Sequence, residues 1–452
     1  MAEAKLSEQL QQTFLRAVKL AQEGDDGTIS ESDITPVSEL PDIDTLGDYA
    51  DEGSSALANA VMIKLNGGLG TSMGLDRAKS LLPVKDGLTF LDVISKQTCH
   101  LRQINGQSLP LIFMNSFRTE ADTLTKLKQH SEIAHGQQEL PFSFLQNKVP
   151  KLVAEDFTPV QHKKDPSLEW CPPGHGDIYI ALKQSGILEE LIRKGYKYAF
   201  VSNADNLGAS LDVNLLGYFA SLGAPFLMEV ADRTAADKKG GHIAINKRTQ
   251  RLLLREIAQT NEQDIEQFQD ISRHKYFNTN SIWLNLQALD QVLEECGGII
   301  PLPIIVNRKT VDPTDKTSTP VVQLESAMGA AIETFERSAA IRVGRNRFIP
   351  VKKTTDLLIL SSDLYDLDSS GVVARTTKGK LPSVELDEAY FAKIDDFQKR
   401  IGAHPPSLRQ CTSLKIEGDV VIGRGVTFIG DVSLSAPLGQ TLEIADNSVI
   451  EG

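Results

Sequence analysis

Residues 60–80 read AVMIKLNGGLGTSMGLDRAKS, which is the most informative stretch of the sequence. An apolar run typical of a buried strand leads into a loop with four glycines, and Lys79 follows the loop. Glycine lets backbone N–H groups approach a phosphate closely and adopt positive φ angles. The stretch therefore predicts a loop that cradles the phosphates of a nucleotide, with a purely structural turn as the alternative.

Two better-known phosphate loops fit this stretch less well. The P-loop has glycine immediately before Lys-Ser, whereas Ala78 occupies that position here. The dinucleotide fingerprint is G-x-G-x-x-G, whereas Gly68, Gly70 and Gly74 give G-x-G-x-x-x-G. Asp92 lies about where a ribose-binding acid would be found. A dinucleotide-dependent oxidoreductase therefore stays open as the alternative that the loop type suggests.

Outside this loop, short apolar runs alternate with helical patterns. This alternation predicts an α/β domain built on a largely parallel or mixed sheet. Helices are predicted over residues 123–134 and 325–339. The predicted strands are AVMIKL (60–65), LIFM (111–114), YAFVSN (198–203), PFLMEV (225–230), HIAI (242–245) and SIWLNL (281–286).

The N-terminal residues have a different sequence pattern from the rest of the chain. Apolar residues recur every four positions and predict an amphipathic helix over residues 6–23. Residues 25–52 contain no lysine or arginine and predict a loop-rich acidic connector. We expect the helix and connector to occupy residues 1–58 and a catalytic domain to occupy 59–404. The apolar stripe of the helix consists of Leu6, Leu10, Phe14 and Val18, widened by Leu15 and Leu20.

The last fifty residues carry apolar positions at six-residue spacing, with glycines between them. Such a period predicts a β-helix with three strands per coil, which we place at 405–452. A pair of antiparallel hairpins is the alternative structure, and a β-helix acyltransferase or scaffold is an alternative function. The two interleaved series are Leu414, Val420, Val426 and Val432, and Ile416, Ile422, Phe428 and Leu434.

Composition narrows the class of protein. The 452 residues are 41% hydrophobic and 24% charged, which is typical of a globular chain with two to three domains. The net charge of −13 disfavours nucleic acid as the main partner. No run approaches the roughly 20 apolar residues of a membrane span, and no secretory signal is evident. The four cysteines form no CxxC pair, which favours reduced thiols in the cytoplasm over a zinc site.

Three further motifs carry residues suited to binding phosphates. WCPPGHGDIY (170–179) presents His175 from a rigid turn, and VSNADN (201–206) places Asn203 and Asp205 after a predicted strand. A carboxylate at the carboxyl end of a strand is a natural Mg²⁺ ligand beside phosphates. FIPVKKTTD (348–356) adds Lys352 and Lys353. A structural histidine, an Asx turn and a solvated lysine pair are the alternatives.

Through these motifs, the chain resembles the eukaryotic-type UTP–glucose-1-phosphate uridylyltransferases (UDP-glucose pyrophosphorylases) from about residue 60 to 450. The resemblance implies a Rossmann-like nucleotidyltransferase domain with a mixed sheet, followed by a left-handed β-helix. The chain departs from the family at LDRA (75–78), and it ends after NSVIEG, before a terminal strand. The motifs occur in the family's order: KLNGGLGTSMG…KS, MNSFRT (114–119), WCPPGHGDIY, VSNADNLGA, REIAQ (255–259), KYFNTNSIW (275–283), VVQLESAMGAAIETF and RFIPVKKTTDLL.

The resemblance also implies a role for individual residues. It implies that Lys79 and Lys352 neutralise phosphates during catalysis and that Asp205 ligates Mg²⁺. The nucleotide side comprises Leu65, Asn66, Gly67, Gly68, Lys79, Gln146, Gly174, Asp205 and Lys352. The sugar-phosphate side comprises His175, Asn203, Gly241, Glu256 and Asn280.

We therefore expect a cytoplasmic, Mg²⁺-dependent enzyme that reversibly makes UDP-glucose and pyrophosphate from UTP and glucose 1-phosphate. Direct in-line displacement is expected, because the attacking phosphate is already ionised and the site needs only positioning and positive charge. The alternative mechanism uses a covalent histidine, usually in an HxH context, which none of the eight histidines has. A UDP-sugar pyrophosphorylase of broad specificity is the nearest rival. Because the chain stops early, we expect a monomer or homodimer rather than an octamer.

Overall fold

The computed structural model describes residue 1 and residues 6–24 and 27–452. No helix within these ranges combines the length and apolar content needed to cross a bilayer. In chain order the helices are α1 (Glu8–Gln22), α2 (Ala50–Leu57), α3 (Phe90–Asn105), α4 (Glu120–Leu127), α5 (Ser131–Ala134), α6 (Ile178–Gln184), α7 (Ile187–Arg193), α8 (Val213–Leu222), α9 (Ile265–Gln269), α10 (Leu286–Glu295), α11 (Thr354–Ser361), α12 (Glu388–Phe391) and α13 (Ile394–Ile401).

The strands are numbered in the same way. They are β1 (Ile34–Pro36), β2 (Ala60–Asn66), β3 (Pro83–Lys85), β4 (Leu88–Thr89), β5 (Leu111–Asn115), β6 (Ser143–Leu145), β7 (Val149–Pro150), β8 (Leu152–Val153), β9 (Trp170–Cys171), β10 (Tyr198–Asn203), β11 (Phe226–Asp232), β12 (His242–Asn246), β13 (Leu252–Arg255), β14 (Tyr276–Asn285), β15 (Ile305–Thr310), β16 (Pro320–Glu325), β17 (Ala339–Arg342), β18 (Tyr365–Leu367), β19 (Val373–Arg375), β20 (Ser383–Leu386), β21 (Ser407–Glu417), β22 (Asp419–Ile422), β23 (Thr427–Ser435), β24 (Thr441–Ile444) and β25 (Val449–Glu451).

The central sheet is mixed, which confirms the predicted α/β class. Its main path runs β1-β12-β14-β10-β2-β5-β6, and β11, β13 and β17 pair beside this path. β10, β2, β5 and β6 are parallel to one another, whereas β14 is antiparallel to both β10 and β11. All six predicted strands are present, because each is a continuous buried run of the kind that central strands require.

Successive residues of β2 point to opposite faces of the sheet, and each face packs against its own core. Val61 and Ile63 belong to one hydrophobic cluster, and Met62 belongs to the other together with Phe200 and Trp283. This alternation follows from the two-residue period of a strand. Burial on both faces explains why the run 60–65 is apolar almost throughout.

Lys64 is the polar exception within β2. It is 1% exposed, and its Nζ donates to Ser202 Oγ at 2.7 Å and to the Ala209 carbonyl at 2.6 Å. Burial and repulsion by Arg347 lower the pKa of Lys64 to about 7, and attraction by Glu229 only partly opposes this. The folded protein therefore binds this proton more weakly than the unfolded chain does.

Lys64→Met should lower the slope of stability against pH. Between about pH 7 and 10.5 the unfolded chain holds the Lys64 proton that the folded protein releases, so the contribution of Lys64 to stability should rise with pH. This group contributes about 1.4 kcal/mol per pH unit to the free energy of unfolding, and the variant loses that contribution. Urea unfolding across this range measures it. Lys197→Met, at an exposed lysine, is the control, and equal slopes in both variants would contradict the prediction.

The N-terminal helix and connector fold onto the rest of the chain. α1 packs Leu10 and Phe14 against Val322 and Leu324, as its stripe predicts, but Leu15 is 64% exposed and does not widen that stripe. Leu15 lies on the outer face of the helix, away from this cluster. Within the connector, β1 pairs antiparallel with β12 at the edge of the central sheet. The part of the connector at residues 25 and 26 lies outside the described residues.

Two helix predictions are wrong in detail. Residues 123–134 form the end of α4 and the separate α5, and His130 between them lies 2.7 Å from Asp92 Oδ1. Residues 325–339 form no α-helix: the segment runs from the end of β16 to the start of β17, and its helical part is the 3₁₀ helix Met328–Glu333. Here tertiary hydrogen bonds override local propensity, because the backbone of Ser326 bonds to the turn that carries His175.

The C-terminal residues form two small parallel sheets. One has the order β20-β21-β23-β25, and the other pairs β22 with β24. Leu414 lies opposite Val432 and Ile416 opposite Leu434, which is a separation of three six-residue steps. The alternative of antiparallel hairpins is therefore wrong. Both predicted apolar series are buried along their full length.

Candidate active site

A cavity of about 560 Å³ lies where β2 and β10 end, at the carboxyl edge of the sheet. Its volume is in the range of nucleotide and other small-molecule sites. The cavity brings together ten of the fourteen predicted site residues. These are Leu65, Asn66, Gly67, Gly68, Lys79, Gln146, Gly174, His175, Asn203 and Asp205.

The glycine loop after β2 is closed by its own backbone. The Lys79 N–H donates to the Gly68 carbonyl at 3.1 Å, so that the lysine returns to the start of the loop. Gly70 has φ of 65°, and a Cβ there would lie 2.9 Å from Leu75 Cδ1. The loop needs glycine at this position for both reasons.

Lys79 and Asp205 form an ion pair inside the cavity. Lys79 Nζ lies 2.6 Å from Asp205 Oδ2, and the two side chains are 14% and 26% exposed. The pair joins the glycine loop to the end of β10. It therefore places one cation and one carboxylate where the phosphates of a nucleotide would meet the loop.

The donor set suits a magnesium ion that is held mostly by substrate. In the described part of the chain, no group of three or more His, Cys, Asp and Glu side chains could hold a metal by itself. Mg²⁺ commonly takes one or two protein carboxylates and completes its shell with water and phosphate oxygens. Asp205 fits that pattern and can provide the single carboxylate.

The opposite wall is formed by Gln146 and the turn 172–176. Gln146 Nε2 donates to the Gly174 carbonyl at 2.7 Å, and a Cβ on Gly67 would lie 2.6 Å from Gln146 Oε1. Gly174 has φ of 85°, and a Cβ there would collide with the Ser326 backbone. Gln146 is thus fixed between two close backbone segments, with its amide at the cavity wall.

His175 is held in one tautomer. Its Nδ1 accepts from the Met328 N–H at 3.0 Å, so the neutral ring carries its proton on Nε2. Burial lowers the pKa of His175 to about 4. At neutral pH the ring can therefore donate one hydrogen bond but brings no positive charge.

The other four predicted residues form a second group beyond the cavity. A Cβ on Gly241 would collide with the Glu256 carboxylate, which shows how closely these two residues approach. The Gly241 carbonyl accepts from the Asn278 N–H at 2.9 Å, and Asn278 Oδ1 accepts from the Asn280 N–H at 2.9 Å. Burial raises the pKa of Glu256, and the nearby Lys352 ammonium partly offsets this.

The end of β10 connects the two groups. β10 and β14 pair as far as Val201 and Ile282, so Asn203 and Asn280 each lie two residues beyond that pair. The Val351 N–H donates to the Asp205 carbonyl at 3.1 Å, which places Lys352 next to the carboxylate-bearing segment. The two groups are therefore neighbouring halves of one site.

Sequence reasoning missed part of the cavity wall. Arg118, Trp170, Lys309 and Glu325 line it, and Lys309 and Glu325 come from the hairpin of β15 and β16. Arg118 and Trp170 lie within motifs that support the resemblance, so those motifs contained a signal. Glu325 also lies within such a motif, VVQLESAMGAAIETF, whereas Lys309 stands beside Arg308 in a strand that is exposed along this part and carries no comparable signal.

A mixed α/β sheet with a glycine loop, a Lys–Asp pair and a neighbouring polar half is the arrangement expected of a nucleotidyltransferase. The sequence model of the family described as UTP--glucose-1-phosphate uridylyltransferase matches residues 9–428. The chain therefore belongs to the UTP–glucose-1-phosphate uridylyltransferase family, whose enzymes make UDP-glucose from UTP and glucose 1-phosphate.

Individual relatives agree with this assignment. UTP--glucose-1-phosphate uridylyltransferase of Solanum tuberosum is 41% identical over 88% of this chain and 81% of its own length. The UDP-glucose phosphorylase structure from Trypanosoma brucei is 43% identical, with a TM-score of 0.90 over 100% of this chain and 96% of that one. A Leishmania major UDP-glucose pyrophosphorylase mutant in complex with UDP-glucose has a TM-score of 0.91 and 40% identity, with the same coverage.

The comparisons also settle the choice among enzyme classes. The predicted uridylyltransferase family is confirmed. The oxidoreductase suggested by the loop type and the acyltransferase suggested by the C-terminal repeat are both wrong. The loop resembles a dinucleotide fingerprint because both carry closely spaced glycines that allow a tight backbone turn after a strand.

Proposed function

We propose that the chain transfers the uridylyl group of UTP to glucose 1-phosphate by direct in-line displacement at the α-phosphorus, reversibly and with Mg²⁺. A phosphate oxygen of glucose 1-phosphate attacks, and pyrophosphate leaves on the opposite side. The Lys79–Asp205 pair at the junction of the two halves is the observation that carries this proposal. No general base is needed, because the attacking oxygen is already ionised at neutral pH.

The Lys79–Asp205 pair can offset the electrostatic repulsion between the two anionic substrates in this reaction. Two polyanions must approach each other, and each must leave water to do so. When the phosphates enter, Lys79 can turn from Asp205 to the phosphate oxygens, and Asp205 is freed as a ligand for a cation. Mg²⁺ bound there would neutralise the phosphate charge that builds up in the transition state. Lys352 would add positive charge from the sugar half.

The cavity half would hold the nucleotide. Leu65, Asn66, Gly67 and Gly68 would contact the uridine by their backbone, since the Asn66 amide is already bonded to Asn115 and Thr123. Gln146 and the Gly174 backbone would contact the uracil side. The sugar phosphate would be held by His175 and Asn203 of the cavity together with Gly241, Glu256 and Asn280 of the second half.

The tautomer of His175 disfavours a mechanism in which this residue forms a covalent intermediate with the uridylyl group. A nucleophilic imidazole must offer a nitrogen lone pair to phosphorus. The Nδ1 lone pair is engaged by the Met328 N–H, and Nε2 carries the proton. His175 is thus suited to donate a hydrogen bond to a phosphate oxygen and not to attack phosphorus.

His175→Ala should weaken glucose 1-phosphate binding more than UTP binding. The loss of one hydrogen bond to a charged phosphate costs about 1.5–3 kcal/mol, so we expect KM for glucose 1-phosphate to rise roughly 10- to 100-fold. KM for UTP should change much less, and steady-state kinetics with each substrate varied would measure both. An equal rise in both values, or a lower Tm with unchanged kinetics, would show that the histidine is only structural.

We also propose the domain organisation and the oligomeric state of the chain. The Rossmann-like nucleotidyltransferase domain would span residues 59–404, and the parallel C-terminal strands would form a left-handed β-helix at 405–452. β25 lies at the end of its sheet, and such an edge can pair with a copy of itself. We propose a monomer or homodimer located in the cytoplasm. Light scattering that gives a mass near eight chains would contradict that oligomeric state.

The proposed reaction is tested by following UDP-glucose and pyrophosphate formation from UTP and glucose 1-phosphate with and without Mg²⁺. We expect equal amounts of the two products and no turnover after chelation. Galactose 1-phosphate and N-acetylglucosamine 1-phosphate would be assayed in parallel, and similar kcat/KM for all three would identify the broad-specificity rival. Failure of the purified protein to form UDP-glucose would refute the proposal.

A further inference from the structure

A buried ion cluster lies beneath the sugar half of the site, and the acidic connector supplies its central carboxylate. Glu31 begins the 3₁₀ helix Glu31–Asp33, and its side chain is only 10% exposed. We propose that Glu31 is a positioning residue that aligns Gly241 and Glu256 for the sugar phosphate. This inference rests on the proposed function, because it concerns the sugar half of that same site.

Glu31 holds the strand that leads to Glu256. Arg255, the last residue of β13, is fully buried, and its Nη1 lies 2.6 Å from Glu31 Oε2. Its Nη2 lies 3.2 Å from Asp264 Oδ2. A guanidinium cannot give up its proton inside a protein, so a buried one needs a carboxylate partner. Removal of the Glu31 charge leaves Arg255 with the longer of these two carboxylate contacts.

Glu31 also reaches the strand that follows Gly241. His242, the first residue of β12, pairs with Arg255 across the β12–β13 hairpin, and its ring stacks on His274 with centroids 3.7 Å apart. His274 Nε2 lies 3.0 Å from Glu31 Oε1. The Glu31 carboxylate therefore stabilises both β12 and β13 at the end of the hairpin where Gly241 and Glu256 lie close together.

The connector backbone also stabilises the position of these strands. The Glu31 N–H donates to Asp264 Oδ2 at 2.7 Å, and the Ile29 N–H donates to the Gln259 carbonyl at 2.8 Å. Gln259 Oε1 in turn accepts from the Glu256 N–H at 2.9 Å. Since a single Cβ on Gly241 would collide with the Glu256 carboxylate, a small shift of either strand must change how the two residues meet the substrate.

The chain offers a matched control at the opposite end of the same strand. Asn246, the last residue of β12, donates to Glu333 Oε1 at 2.7 Å. Glu333→Gln removes a strand-anchoring charge just as Glu31→Gln does, but far from Gly241. If loosening of the hairpin in general were responsible, both variants would show the same effect.

The test measures KM for each substrate, kcat and Tm in wild type, Glu31→Gln and Glu333→Gln. We expect Glu31→Gln to raise KM for glucose 1-phosphate by about tenfold or more, as expected from a small misplacement of binding groups, and to leave KM for UTP within about twofold. Glu333→Gln should leave both values near wild type. An unchanged KM for glucose 1-phosphate in Glu31→Gln, or an equal rise for UTP, would overturn the assignment.

Glu31→Asp covers the case in which Glu31→Gln does not fold. It keeps the charge but is one methylene shorter, so it cannot hold Arg255 and His274 at the same time at these distances. We expect a smaller rise in KM for glucose 1-phosphate, and an unchanged value would overturn the role of Glu31. A wild-type protein that makes no UDP-glucose would instead refute the proposed function. The two failures are therefore distinguishable.

Discussion

Lys79→Ala is expected to lower kcat about 10²- to 10³-fold, which is the usual cost of losing one preorganised charge that stabilises a transition state. Lys79 closes the glycine loop through its backbone N–H, and this bond survives the substitution. The side chain makes its ion pair with Asp205 inside the cavity, so the loss should fall on catalysis rather than on folding. Steady-state kinetics and a thermal melt of the same preparation would measure both.

Lys183→Ala is the matched control for this variant. Lys183 pairs with Asp290 at 2.7 Å, and both side chains are 26% exposed, close to the values for the Lys79–Asp205 pair. The control removes an equivalent lysine–aspartate contact between α6 and α10, outside the site. We expect near wild-type kcat in the control. Near wild-type kcat in Lys79→Ala would remove Lys79 from the mechanism.

Asp205→Asn is expected to raise the Mg²⁺ concentration for half-maximal activity at least about tenfold and to lower kcat about 10²-fold. Asparagine keeps the size and one oxygen of the side chain but loses the charge that holds a hard cation. The Asp205 carbonyl would still accept from Val351, so the position of the Lys352 segment should be retained. A Mg²⁺ titration of initial rates measures both effects.

Asp290→Asn provides the corresponding control, since it removes a carboxylate of similar exposure from a lysine pair away from the cavity. We expect its Mg²⁺ titration to overlay that of the wild type. If Asp205→Asn showed the same overlay, Asp205 would only pair with Lys79 and would not take part in metal binding.

Six of the ten strands described in the central sheet were predictable, because each is a continuous buried run whose burial needs no knowledge of its neighbours. The segment 325–339 was not, because its course depends on hydrogen bonds from Ser326 and Met328 to a turn about 150 residues earlier. Local propensity favours a helix there, and the tertiary contacts decide otherwise. The C-terminal spacing was informative because a repeat in multiples of six residues brings apolar positions opposite one another in parallel strands, as for Leu414 and Val432.

The site residues likewise fall into those that could be predicted from the sequence and those that could not. Lys79, Asn203 and Asp205 follow buried strands, and neighbouring parallel strands end at one edge, so the sequence could bring them together. Lys309 reaches the cavity from a distant hairpin, and no local pattern distinguishes it from a surface lysine. Glu31 lies in a stretch whose composition predicts a loop-rich acidic connector, yet its side chain is only 10% exposed and pairs with Arg255. The contact with Arg255, which is distant in sequence, is what points to the positioning role of Glu31.

The stereochemical course at the α-phosphorus tests direct displacement most directly. UTP with sulfur in place of one non-bridging α-oxygen, prepared as a single diastereomer, would be converted with glucose 1-phosphate and Mg²⁺, and the product configuration determined by ³¹P NMR. One in-line attack inverts the configuration, and inversion is what the Lys79–Asp205 geometry and the protonated Nε2 of His175 lead us to expect. Retention would require two successive displacements through a covalent enzyme intermediate and would contradict the mechanism.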